Sequence, residues 1–286
     1  MVITAFKTGF QRLTRNAHLL GWLYAINIGF ALVVALPLQS LLENKVGQSL
    51  GIQRLIPNFD YTIIRDFMRE YGSELAVIFQ EAQVVLLLYF VLSIFLAGGI
   101  LEKVRFSPTR TFLQGSGQHF WRMLRLTIYF MLIYVVLIIV LGSIFQFIFI
   151  TNFANFTNER PVVHGAGVFV GIFFILAVLV SMVQDYAKIQ LVQHPEQSVF
   201  KSFWQTWGIT FKNLTQTLPL YLINALLLLM VFGLYWWLSG YLHPINTSGK
   251  IILTFLLSQV FLIARIGIKL LNLASATVLY EKQLDQ

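Results

Sequence analysis

Six stretches of this chain, about 19–41, 83–101, 126–150, 166–184, 216–241 and 251–272, are apolar runs bounded by charged or turn-forming residues. At about 1.5 Å of rise per residue, a helix over each bridges a hydrocarbon core of roughly 30 Å. Lipid offers the backbone no hydrogen-bond partners, so such runs must be helices that satisfy themselves. The predicted fold class is therefore all-α, a polytopic membrane protein with six transmembrane helices. Composition agrees, with 57% hydrophobic and only 11% charged residues, where an ordinary soluble domain carries about 25% charged. A soluble enzyme is excluded. Cysteine is absent, which removes disulfides, thiolate metal sites and thiol nucleophiles.

The net charge of +8 sits between the apolar runs. With the N-terminus placed in the cytoplasm, fourteen of the 20 basic residues fall on inner segments and six on outer ones, the asymmetry that orients membrane helices. Both termini are thus expected in the cytoplasm, and the basic residues point to anionic phospholipids and not to nucleic acid. Lys7, Arg12 and Arg15 precede the first run as they would in a signal peptide. That run is too long and lacks a small-residue cleavage site, so it is expected to stay as the first span.

Polar positions repeat along the chain. A shift of 197 pairs Phe6 with Phe203, Arg15 with Lys212, Asn16 with Asn213, Tyr24 with Tyr221 and Asn27 with Asn224. A shift of 91 pairs Phe112 with Phe203, Gln114 with Gln205 and Phe120 with Phe211. The even-numbered spans end alike in Lys103, Lys188 and Lys269. These matches predict three parallel copies of one unit, about 1–104, 105–191 and 192–286, in a single integral membrane domain. Each copy is a transmembrane hairpin preceded by a cytoplasmic amphipathic interfacial helix.

The first of those helices places Phe6 and Phe10 on one side, with Arg12 and Arg15 on the other. Phe112 and Phe120 belong to the second. The third is the strongest, with Phe200, Phe203, Trp204, Trp207 and Phe211 read as one apolar stripe opposite Lys201, Gln205 and Lys212. Pro108 and Pro195 mark the expected helix starts. Basic helices with an aromatic side lie in the headgroup region, orient the following span, or dock a cytoplasmic partner. A further amphipathic stretch around Ile63 to Tyr71, within the outer segment 42–82, reads as a short helix over the bundle.

Chemistry is sparse. Asp185 and Arg265 lie at matched depths, Arg265 about 21 Å from its outer start at 1.5 Å per residue, so Arg265 either snorkels to the headgroups or pairs with Asp185 as an intramembrane charge pair that offsets two desolvation costs, with an ion or proton pathway as the third reading. The histidines at 18, 119, 164, 194 and 243 occur singly and form no close ligand pair. Ser116 lies between Gly115 and Gly117 in an inner segment, and span six has no histidine to serve it. No phosphate-binding or dinucleotide motif is present. Gly98-Gly99 reads as a site of close helix packing or of a local kink. No catalytic residue, metal or cofactor is expected.

Phe6-Lys7-Thr8-Gly9-Phe10 with Asn16, and Asp185-Tyr186-Ala187-Lys188-Ile189, set among six spans, resemble a broad group of uncharacterised bacterial membrane proteins similar to the membrane domain of glycerophosphodiester phosphodiesterases. The resemblance implies a bacterial cytoplasmic membrane and a helical bundle, and no phosphodiesterase activity. Two functions follow: a non-enzymatic scaffold or accessory subunit working with another membrane or cytoplasmic protein, or a transporter, either autonomous or the permease subunit of an ATP-driven transport system.

Overall fold

The computed structural model describes residues 1–46, 61–105, 111–150, 160–242 and 247–284. Every regular element among them is helical: α1 (Val2–Arg15), α2 (Ala17–Val46), α3 (Tyr61–Val104), α4 (Phe112–Phe145), α5 (Arg160–Gln193), α6 (Val199–Lys212), α7 (Leu214–Leu242) and α8 (Ser248–Leu284). A single π turn, Gln146–Ile150, extends α4. Six of these helices are long and apolar enough to cross a membrane, and the protein is a multi-pass membrane protein.

The junctions between helices follow from side-chain chemistry. Asn16 separates α1 from α2 and Asn213 separates α6 from α7. Each Nδ2 donates back to a carbonyl of the helix just ended, Asn16 to Arg12 at 3.0 Å and Asn213 to Ile209 at 3.1 Å. A short amide side chain competing for the backbone in this way terminates a helix. The equivalent position under the shift of 91 is Arg122, a good helix former, and α4 runs through it unbroken. The second amphipathic stretch, Phe112 to Phe120, is therefore the opening of the span helix itself and not a separate element.

At the start of α4, the backbone N–H of Thr111 donates to Gln114 Oε1 at 3.2 Å; Pro108 lies outside the described residues. Helix α6 is capped by Ser198, whose Oγ accepts from the Lys201 N–H at 3.3 Å, so Pro195 belongs to the preceding turn. The outer segment 42–82 is described up to 46 and from 61. Its expected short helix is the first part of α3, which bends at Tyr71 (φ −111°, ψ 17°) and continues into the span.

Contacts divide the chain into two compact units, and the division falls within helices. One comprises Met1–Thr8, Ile94–Tyr221 and Leu273–Gln286. Its core is apolar, with Leu126 and Phe130 of α4, Val183, Tyr186 and Leu191 of α5, Phe203 of α6, and Leu279 and Tyr280 of α8 all buried. Toward the far end of α4, the Phe145 and Phe149 rings stack at 5.2 Å and Phe169 packs edge-on to both. Gly165 admits the Phe149 ring, which a Cβ would strike.

The other unit comprises Gly9–Ser93 and Leu222–Asn272. Its helices are held by polar tips. Tyr89 Oη donates to Asn27 Oδ1 at 2.9 Å, Tyr24 Oη to Gln259 Oε1 at 3.0 Å, and Asn224 Nδ2 to Asn272 Oδ1 at 3.2 Å. Rings add to this, with Tyr235 stacked on Phe261 at 4.7 Å and Phe30 edge-on to Tyr89 at 5.4 Å.

Candidate functional site

Buried polar side chains are more numerous than the scattered sequence positions suggest, and most gather in the first unit. One group sits where α3 crosses α4. Gly98 and Gly99 of α3 face Gly115, Ser116 and His119 of α4 so closely that a Cβ on Gly98 would lie 3.0 Å from His119 Cβ, and one on Gly99 would lie 2.5 Å from the Phe112 carbonyl oxygen. The paired glycines therefore serve close packing, as their sequence suggests. The crossing buries Glu102, Ser116 and His119, each at most 1% exposed.

Serine, histidine and glutamate are the residue types of acyl transfer, so their geometry decides. His119 Nε2 stands 3.8 Å from Glu102 Oε2, beyond the hydrogen-bond range of about 2.7–3.2 Å that orients a catalytic base. Arg105 lies 3.9 Å from the same oxygen. Ser116 is fully buried, with its hydroxyl against Gly99. The cluster holds a buried carboxylate beside basic groups, an arrangement of packing and charge compensation. Among the described residues, no three His, Asp or Glu side chains converge as metal ligands.

A second group forms the elbow between α5 and α6. The Arg122 guanidinium of α4 donates to three carbonyl oxygens there: Leu191 at 3.0 Å, His194 at 3.2 Å and Gln197 at 2.6 Å. A helix C-terminus leaves its last carbonyls without partners and carries negative partial charge, so a cationic fork satisfies both needs. One turn before that end, Gln190 is 2% exposed. Its Nε2 donates to Gln205 Oε1 at 3.0 Å, and its Oε1 accepts from Thr206 Oγ1. Two of these bonds reach α6 and fix how that helix is rolled about its axis.

At about 100° per residue, α6 then shows three rows. Val199, Ser202, Phe203, Thr206 and Thr210 point inward and are buried. Phe203, 8% exposed, seats its ring edge-on against Tyr129 at 5.7 Å and Phe130 at 5.2 Å. Phe200, Trp204, Trp207 and Phe211 form a second row, with Phe200 and Trp204 60% exposed and Phe211 46%. Trp207 is half-buried and stacks on Phe211 at 5.8 Å. Lys201, Gln205, Gly208 and Lys212 make a third, fully exposed row. The aromatic stripe read from the sequence thus splits, because it is too wide for one neighbouring surface to cover.

The remaining expected residues are spread out. On α1, Phe10 and Arg15 are exposed, while Phe6 and Arg12 are half-buried. On α4, Phe112 and Phe120 are half-buried, and Phe120 meets Phe95 at 5.9 Å. Asp185 belongs to the first unit, where Oδ1 lies 3.3 Å from Lys188 Nζ and Oδ2 accepts from Tyr221 Oη at 2.8 Å. Arg265 belongs to the second unit and is exposed. Glu102, His119, Arg122 and Gln190 were not singled out by sequence. The available signal was that each is a polar residue interrupting an apolar helix, a position that demands a partner.

A third polar group lies in the second unit. Tyr24 and Asn27 of α2, Tyr89 of α3 and Gln259 of α8 are half-buried and joined by the bonds already given. Asn27 stands ten residues from the start of α2, about 15 Å along the helix.

No protein-family model matches this chain, and neither curated proteins nor solved structures provide a match.

Proposed function

We propose that this protein is a non-enzymatic subunit of a bacterial cytoplasmic membrane complex, a scaffold or accessory protein with both termini in the cytoplasm. One observation carries the reading. In the first unit Arg122 bonds three carbonyls at the end of α5 and the turn that follows it, and Gln190 bonds Gln205 and Thr206 of α6. Such groups hold helices in place.

The reading includes three parallel repeats, which polar bonds between the spans support. Tyr24 and Tyr221, matched by the shift of 197, each bond to the second span of the preceding hairpin taken cyclically, Tyr24 to Gln259 and Tyr221 to Asp185. Asn27 and Asn224, matched by the same shift, each bond within their own hairpin, to Tyr89 and Asn272. Helices α1 and α6 stand as the interfacial helices of the first and third repeats.

The alternative, a transporter or the permease subunit of an ATP-driven transport system, draws on the parallel repeats and on the half-buried polar residues Tyr24, Asn27, Tyr89 and Gln259 of the span helices, since repeats and polar residues within spans are features of transport proteins. Purification from native membranes in mild detergent separates the two. A co-purifying membrane or cytoplasmic subunit without nucleotide hydrolysis supports the scaffold. A co-purifying ATPase selects the permease, and a solitary chain overturns both subunit readings.

A further inference from the structure

We propose that the outward edge of α6, where the row of Phe200, Trp204, Trp207 and Phe211 meets Lys201 and Lys212, is a docking surface for an anionic phospholipid leaflet. The inference goes beyond the subunit role and stands whether or not a protein partner is present.

The argument begins with the roll of the helix. An amphipathic helix free to rotate presents no fixed face, but here Gln190 bonds both Thr206 and Gln205, and Phe203 is seated between two rings of α4. The aromatic row is thereby held outward, with Phe200 and Trp204 each 60% exposed. Three exposed aromatic rings, Phe200, Trp204 and Phe211, on one helix of a membrane protein face a medium that is apolar at one level and wet at the next, where indole and phenyl rings concentrate, while Trp207 packs back against the core.

The charge beside that row selects among such media. Val199–Lys212 contains two lysines and no acidic residue. Lys201 and Lys212 lie eleven residues apart on one exposed row, about 16 Å along the axis, so they reach separate headgroups. Arg125 adds to the same field: it is exposed on α4 one turn from Tyr129, whose ring meets Phe200 at 6.4 Å. Long basic side chains rising from an aromatic floor place their charges at headgroup level while their stems cover apolar surface. Each lysine near an anionic surface favours association by about fivefold, equivalent to about 1 kcal/mol.

Brominated lipids test this on the full-length chain, reconstituted into bilayers of phosphatidylcholine with a minority of phosphatidylglycerol. Bromine is carried on the acyl chains of one lipid at a time, and the Trp204 signal is the difference between the native chain and Trp204→Phe. Expected is strong quenching of Trp204, severalfold greater per brominated phosphatidylglycerol than per brominated phosphatidylcholine. Lys201→Gln with Lys212→Gln and Arg125→Gln should equalise the two while leaving quenching in place. Because the chain has no cysteine, a spin label at Phe211→Cys gives an independent reading of the same preference by relaxation enhancement from lipid-borne probes. Equal quenching with both lysines present overturns the anionic assignment. A preference that survives their removal together with that of Arg125 overturns the role given to these cations. Absence of quenching by either lipid overturns the lipid surface and leaves the face to a protein partner.

Discussion

Replacing Arg122 should release the elbow that carries α6. Arg122→Met keeps most of the apolar stem and removes the guanidinium, so the loss reports the three bonds to Leu191, His194 and Gln197 rather than packing. A hydrogen bond to a charged group contributes about 1.5–3 kcal/mol. Three that share one half-buried group do not add fully, because water reaches the carbonyls once the fork is gone. The favourable placement of a cation at a helix C-terminus contributes up to about 2 kcal/mol of the same total. The expected cost is therefore about 3 kcal/mol, with Arg122→Lys recovering about 1 kcal/mol, since an ammonium keeps the charge and loses the fork. Amide hydrogen exchange on the reconstituted protein reads this locally. Residues 191–202 should exchange about a hundredfold faster, a factor that corresponds to roughly 3 kcal/mol of local opening, while the middle of α4 stays protected. A change smaller than twofold over 191–202 would refute the argument that Arg122 holds the elbow.

The α3–α4 crossing gives a steric prediction. Gly99→Ala should destabilise the protein by about 1–3 kcal/mol, and Ser116→Gly should fail to rescue it because the obstructing Phe112 carbonyl is backbone; loss of resistance to a denaturing detergent measures both. For Asp185 and Arg265, a pairing between them predicts that Arg265→Ala and Asp185→Asn lose less together than the sum of the two alone, whereas additive losses leave Lys188 and Tyr221 to account for Asp185. Reporter fusions after residues 60, 155 and 245 should all read outside, and one cytoplasmic result breaks the six-span orientation.

Much of the fold is legible because lipid leaves the sequence few options. The six spans appear as apolar runs, the breaks at Asn16 and Asn213 were visible as matched polar positions, and Gly98-Gly99 announced a close crossing that the structure contains. The site was less legible for identifiable reasons. Arg122 reads in sequence as one more inner-segment cation, and its meaning lies in carbonyls 69 to 75 residues further along. The stripe on α6 reads as one apolar surface because hydrophobicity does not say which part of a wide sector faces protein. The choice was made by Thr206, a small polar residue that the periodicity counts as noise, with Gln190 of the neighbouring helix as the deciding partner. Glu102 and His119 are seventeen residues apart and meet only because glycines let α3 and α4 approach.

The same physics explains why polar bonds recur at helix contacts throughout the chain. Lipid tails are as apolar as leucine, so burying apolar surface drives span association weakly, and packing with interhelical hydrogen bonds must supply what water would otherwise supply. Asn27 with Tyr89, Tyr24 with Gln259, Asn224 with Asn272 and Tyr221 with Asp185 each join two spans in this way. Helix α6 lies among them as a different case, since it crosses no core and needs no such bond to remain helical. That Gln190 nonetheless bonds two of its residues, and that Arg122 fastens the turn leading into it, means that its orientation is held independently of its helicity. A helix fastened so firmly on one side makes its opposite, aromatic side a permanent surface, and permanence is what a docking face requires.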